Sequence, residues 1–154
     1  MPRVTRRRVL PVAPGEVWAL VSDPYSLPRW WPRTTRVENV DQKSAGRRSQ
    51  WTKVLETSGG RGVRADFRCL SSAERERYVW EQQLEGTPFS RHLRSSSVEI
   101  GMRGVEGGTE VKLTSKQVLR GLSRLGSPLM RRGQREILDE ALDGIEGALA
   151  PGDT

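Results

Sequence analysis

Apolar side chains follow two periods along this chain. Over Arg3 to Val12, and again from Thr34 to Leu119, they alternate with polar ones, as in a half-buried strand; between and after these stretches they recur every three or four residues, as on a helix. The first stretch predicts a strand over Arg3–Val12. Pro14 then suits a first helical turn, where its missing N–H costs nothing, and Glu16 complements the positive helix end. Val17, Trp18, Leu20 and Val21 supply the apolar face of a short helix that ends before Pro24. Pro28 and Pro32 hold the next helical segment, Tyr25 to Trp31, to about two turns.

Strands are predicted after Pro32 at Thr34–Val40, Arg48–Glu56, Gly62–Ser71, Arg75–Glu85, Ser90–Arg103 and Thr109–Leu119. The turns between them fall at Ala45-Gly46, Thr57 to Arg61, Ser72-Ala73-Glu74, Gly86-Thr87-Pro88 and Gly107-Gly108. Links this short imply an antiparallel meander, because a parallel crossover needs roughly a dozen residues. From Gly121 to Leu149 the period is again helical. Leu122, Gly126, Met130, Gly133, Ile137, Ala141, Ile145 and Ala148 form one stripe, with Leu138 and Leu142 beside it as a second apolar contact. Pro128 either opens this helix, with Ser127 as its cap, or kinks one that began near Leu122. Arg132 with Glu136, and Arg135 with Asp139, are spaced as helix-surface pairs.

The pattern thus predicts an α+β fold: a seven-stranded curved antiparallel sheet wrapped around a long C-terminal helix, with two short helices between the first two strands. At 154 residues one domain is expected, over 1–150, with a disordered tail over 151–154. A single cysteine, Cys69, excludes an intrachain disulfide and a cysteine metal cage; with one histidine besides, no metal site or other cofactor is expected. Neither a signal peptide nor a membrane span is legible, so a cytoplasmic protein is expected. The net charge is +7, from twenty-two arginines and four lysines against nineteen acids. Those arginines are scattered over nearly every element and lack interleaved aromatics, the pattern of a solvated surface rather than of a nucleic-acid reader.

Three stretches carry a resemblance: Ala13-Pro14-Gly15-Glu16-Val17-Trp18, the Trp30-Trp31-Pro32 end of the second helical segment, and Gly108-Thr109 before the last strand. In their order within strand, two short helices, six strands and a long helix, the chain resembles the START/Bet v 1-like superfamily (SRPBCC), also called the polyketide cyclase/dehydrase and lipid-transport family, over essentially its full length. The resemblance implies a helix-grip fold that holds a lipid, sterol, polyketide, quinone or hormone between sheet and helix. Only some members of that family are enzymes.

Alternation names the residues expected to face such a cavity. Val63, Ala65, Phe67 and Cys69 form one set; Tyr78, Trp80 and Leu84 carry Gln82; Val98, Ile100 and Met102 carry Ser96, Arg94 and His92; Val111 and Leu113 carry Ser115 and Gln117. Trp30, Leu122 and Met130 complete the expected ligand contacts from the helices. Arg94 and His92 are the candidates for recognising a carboxylate or enolate, unless a bulge after Pro88 turns that strand end to water. Trp30 and Trp31 are read first as a packing anchor, with a gating role as the alternative, and Cys69 as an inert core thiol. Gly59-Gly60-Arg61-Gly62 lacks the context of a phosphate loop and reads as a hairpin tip.

Three functions follow, and the residues favour the first. It is binding or transport of a small hydrophobic ligand with one polar or anionic end. The second is a metal-free polyketide cyclase or dehydratase using His92, Arg94, Tyr78 or Gln82 for proton transfer. A basic-surface partner of anionic membrane or RNA, through Arg131, Arg132 and Arg135, is the third. Monomer and dimer both stay open.

Overall fold

The structure, a computed structural model, describes residues 3–32, 34–41, 50–56, 62–84, 93–119, 121 and 127–149. Among these residues there are seven strands: β1 (Arg3–Leu10), β2 (Thr34–Asp41), β3 (Gln50–Glu56), β4 (Gly62–Ala73), β5 (Arg77–Gln82), β6 (Leu93–Val105) and β7 (Gly108–Leu119). Helices α1 (Pro14–Val21) and α2 (Leu27–Trp30), joined through one 3-10 turn at Pro24–Ser26, separate β1 from β2; α3 (Ser127–Leu149) follows β7. All neighbours in the sheet are antiparallel, in the order β1-β7-β6-β5-β4-β3-β2. This is the predicted meander, with the first strand returning to pair with the last. His92, Leu122 and the turns predicted at Ala45-Gly46, Thr57 to Arg61 and Gly86 to Pro88 lie outside the described residues, as does the side chain of Val63.

Local chemistry sets the element ends. β1 stops at Leu10 because Pro11 has no N–H for the ladder. Pro14 opens α1, and the Glu16 carboxylate accepts from the Ala13 N–H at 3.2 Å. Asp23 caps the 3-10 turn by accepting from the Tyr25 N–H at 3.0 Å. Between β6 and β7 the turn is Glu106-Gly107 rather than the paired glycines. Gly108 belongs to the ladder, with φ at +151°, and a Cβ there would lie 1.9 Å from the Leu10 carbonyl oxygen. The β4–β5 turn sits at 74–76, later than predicted, since β4 runs on to Ala73.

One face of the sheet is buried. Val4, Ala65, Phe67, Tyr78, Trp80, Val98, Ile100, Met102, Val111 and Leu113 form its core with Leu10 and the inner residues of all three helices. α3 packs on β1, β7 and α2. Its fully buried positions are Leu138, Ala141, Leu142 and Ile145, while Ile137 is half-buried. The helix is therefore rotated relative to the stripe read from the sequence: the side contact through Leu138 and Leu142 is principal, because sheet and α2 press on α3 from two directions. Asp139 also departs from expectation. It receives two bonds from Arg6 of β1, at 2.8 and 3.1 Å, rather than pairing along the helix with Arg135; Arg8 reaches Asp143 at 2.5 Å. Arg132 and Glu136 do pair, at 3.6 Å.

Gly144 marks the closest helix approach. A Cβ there would stand 2.2 Å from the Trp30 carbonyl oxygen and 2.7 Å from its Cα. Backbone cannot yield as a flexible side chain does, so the helices must separate. Gly144→Ala is expected to lower stability by about 1–3 kcal/mol despite alanine's better helix propensity. Urea unfolding of the two proteins checks this; an unchanged or raised midpoint would mean that α2 and α3 are not seated this closely.

Candidate functional site

β3 reads Gln50-Trp51-Thr52-Lys53-Val54, and strand parity puts Trp51 and Lys53 on one face. Trp51 is buried on the inner face, its ring parallel to Phe67 of β4 with centroids 6.3 Å apart. Lys53 is thereby carried inside, where only 2% of it is exposed. Its partner across β4 is Ala65, a small neighbour that leaves room for the lysine stem. The ammonium nitrogen Nζ lies 4.0 Å from the Phe67 ring centroid, 4.7 Å from Trp31 and 5.2 Å from Trp80. Ring faces carry negative potential, so this is a setting for a cation.

The rings around it form a continuous layer. Trp30 and Trp31 at the end of α2 meet edge to face at 5.6 Å, and both touch Trp80 of β5, at 5.8 and 5.2 Å. Trp80 continues to Trp51 at 6.1 Å and to Tyr78 at 6.4 Å, and Tyr78 to Trp18 of α1 at 5.9 Å. All five tryptophans of the chain belong to it. Among the described residues, buried Trp30 Nε1, Trp51 Nε1 and Tyr78 Oη have no hydrogen-bond partner. Buried polar groups are normally paired, and three such orphans in one layer are unusual.

A polar row crosses the same face beside this layer. Ser115 Oγ of β7 donates to Gln134 Oε1 of α3 at 2.7 Å, and Gln117 Nε2 donates to Ser96 Oγ of β6 at 3.3 Å. Gln117 Oε1 is buried and has no partner among the described residues. Beyond the row lies a second apolar cluster of Leu84, Leu93 and Leu119, against which Met130 packs.

The sequence-predicted residues divide accordingly. Trp30, Phe67, Tyr78, Trp80, Val98, Ile100, Leu113 and Ser115 are buried on the inner face, Gln82 and Ser96 are half-buried, and Met130 joins the second cluster. Arg94 does not join them. A register shift between Leu93 and Ser95 turns Leu93 inward and leaves Arg94 exposed. Lys53 and Gln134 were not anticipated. The signal for Lys53 was present in its parity with Trp51; its charge argued the other way, since lysine is almost never fully buried unless paired.

Burial governs the titrations here. Lys53 has no acidic partner among the described residues, and loss of solvent lowers its amine from 10.5 to about 7. Tyr78 is raised above its ordinary range, by burial first and by the neighbouring Cys69 second. Burial likewise raises the Cys69 thiol, whose Sγ donates to the Ser71 carbonyl at 3.4 Å.

The outer face of the sheet is chemically different. A depression there is lined by Arg7, Arg77, Arg103 and Lys112 with Glu76, Glu99 and Glu110, so cations and carboxylates alternate. Arg131, Arg132 and Arg135 of α3 are exposed. No group of three or more metal-binding side chains occurs among the described residues, and no described helix is long and apolar enough to cross a membrane.

Comparison with known proteins matches residues 1–150 to a family described as "Polyketide cyclase / dehydrase and lipid transport". Among solved structures, a START superfamily protein from Mycobacterium smegmatis is similar at TM-score 0.77 and 15% identity, covering 96% of both chains. A Thermus thermophilus protein is similar at TM-score 0.76 and 20% identity, over 99% of this chain and 100% of that one. The di-domain ARO/CYC StfQ of the steffimycin biosynthetic pathway gives TM-score 0.78 at 11% identity, over 95% of this chain and 49% of StfQ. These likenesses establish the fold. Comparison with the curated proteins returned no match.

Two outcomes follow from the burial of Lys53 and Cys69. The unfolded amine titrates near 10.5 and the folded one near 7. Between those values the unfolded state holds the extra proton, so stability rises with pH; below 7 the whole penalty is present. Lys53→Met should therefore raise stability by about 2–4 kcal/mol at pH 6, the ring contacts offsetting part of the burial cost, with the gain shrinking toward pH 10. Urea unfolding across that range tests it, and a variant less stable at pH 6 would contradict it. Cys69 should react with a disulfide reagent only as the protein unfolds; a fast reaction in native buffer would place the thiol elsewhere.

Proposed function

Because the chain belongs to the polyketide cyclase/dehydrase and lipid transport family, we propose that it binds a small hydrophobic ligand, aromatic or lipid-like, between the inner face of the sheet and α3. One observation carries this reading: among the described residues, the same buried layer holds an unpaired lysine and the orphaned donors of Trp30, Trp51 and Tyr78. In a core serving packing alone, each such group is a cost that an apolar side chain of similar volume would remove. In a binding site they are the few polar groups that orient a ligand within an apolar lining. Gln117, with its free Oε1, offers a further acceptor beside the layer.

The second reading is a cyclase or dehydratase acting on a polyketide-like substrate. It rests on the likeness to StfQ and on Lys53, whose amine exchanges its proton near neutral pH among aromatic rings. Binding is common to both readings and comes first.

Native mass spectrometry of the purified protein beside a denatured control tests the binding reading. A released hydrophobic molecule, or added mass from a panel of fatty acids, quinones and aromatic polyketides, is the expected result. A protein that stays at its bare mass with the whole panel, and whose tryptophan fluorescence does not respond, would defeat it. Turnover of a bound polyketide would favour the second reading over the first.

A further inference from the structure

The inner layer offers a cation its ring faces, and among the described residues no anion matches it. Lys53 Nζ sits among the rings of Phe67, Trp31 and Trp80, at 4.0, 4.7 and 5.2 Å from their centroids. The charged side chains described on the surrounding elements are engaged elsewhere or exposed. On β4 and β5, Arg68 pairs with Glu81, and Asp66 accepts from Thr52 Oγ1 at 2.6 Å. On β2, Arg36 pairs with Glu38 at 3.0 Å. Arg29 of α2 is exposed and donates to the Ala148 carbonyl at 3.4 Å. On α3, Asp139 and Asp143 are held by Arg6 and Arg8 of the far edge strand. Other titratable groups in the layer are Cys69 and Tyr78, and burial drives both away from ionising. Among the described residues Lys53 thus meets ring faces and no carboxylate.

We propose that the ligand supplies the missing charge: the site takes a hydrophobic organic acid, its carboxylate or enolate oxygen paired with Lys53 and its apolar body against the tryptophan layer. This deepens the binding reading above and rests on it. Rings attract an ammonium modestly, by fractions of what a buried charge loses, whereas an oxygen anion at hydrogen-bond distance restores the charged state outright. The two together describe an anchor that discriminates between an acid and its neutral analogue. They also couple binding to a proton. The empty site holds Lys53 largely as the neutral amine above pH 7, and the paired site holds it as the ammonium, so an acid bound at pH 8 must take up a proton.

The test uses two matched pairs of probes, dodecanoate with dodecanamide and 2-naphthoate with 2-naphthamide, titrated calorimetrically and by tryptophan fluorescence. Against wild type, the acid is expected to bind at least tenfold more tightly than its amide at pH 6.5, with the advantage falling as pH rises toward 9. Calorimetry at pH 8 in buffers of different ionisation enthalpy should register uptake of most of a proton per acid bound. Lys53→Met should bind acid and amide alike, without the proton. Equal binding of acid and amide by wild type, or an acid preference that survives in Lys53→Met, would overturn the lysine anchor while leaving hydrophobic binding intact. Should neither member of either pair bind, the binding reading falls and the anchor with it. Proton uptake is read on the wild-type protein, so the anchor is testable even if the variant does not fold.

Discussion

Width is the constraint on which this architecture depends. Seven strands at about 4.8 Å spacing make a face roughly 29 Å across, whereas a helix with its side chains is about 10–12 Å wide. One helix cannot cover such a face. α3 lies over the β1 and β7 edge and against α2, which leaves the β3, β4 and β5 side to be closed by other means. The short helices α1 and α2 and the bulk of the tryptophans together close it. That is why the aromatic residues concentrate there rather than under α3, where Leu138, Ala141, Leu142 and Ile145 suffice.

The position of α3 is consequently fixed from its sides as well as from beneath. Arg6 and Arg8 share the inward parity of Val4 and Leu10, but at the sheet edge they emerge beside the helix and meet Asp139 and Asp143. These contacts are exposed and add little energy individually; their value is geometric, since they set the rotation of the helix about its axis. From the other side Gly144 admits the backbone of Trp30. The end of α2, and with it Trp30 and Trp31, is thereby placed against Trp80 and above Lys53. The grip of the helix and the walls of the site are one set of contacts.

A buried lysine in such a layer sets stability against function. The core would gain from an apolar residue at position 53, as it would from apolar replacements of the orphaned tryptophan and tyrosine donors. That they occur together, on one face, next to the polar row of Ser96, Ser115, Gln117 and Gln134, is a violation of ordinary packing economy of the kind expected at functional sites. The outer face shows no such tension. Its arginines alternate with glutamates, and Arg103 pairs with Glu110 at 3.3 Å. The high net charge is accordingly a property of the surface, with its chemistry separate from that of the interior.

The order of elements was legible in the sequence because it rests on local rules. Period-two alternation, Pro14 at a helix start, the prolines that bound the two short helices and short glycine-bearing turns act over a few residues and need no distant partner. Most of the inner lining, from Phe67 and Trp80 to Ile100 and Leu113, followed from the same alternation, whereas the family resemblance rested on three short motifs and their order. What failed were judgements needing a partner or a register. For Arg94 alternation left both faces open, and the shift between Leu93 and Ser95 decided for the water-facing one; a bulge leaves no mark in composition. The stripe of α3 was drawn from spacing alone, yet which side of a helix is buried depends on how many surfaces press on it. The charge of Lys53 argues for exposure, against its parity with Trp51; the stacking of Trp51 on Phe67 and the approach of Trp31 from another element decide for the inside. Sequence by itself determined the elements and the two faces of the sheet, since these are set by each residue's immediate neighbours. Tertiary structure alone decided where α3 turns and which charge is buried, since these are balances between groups far apart along the chain.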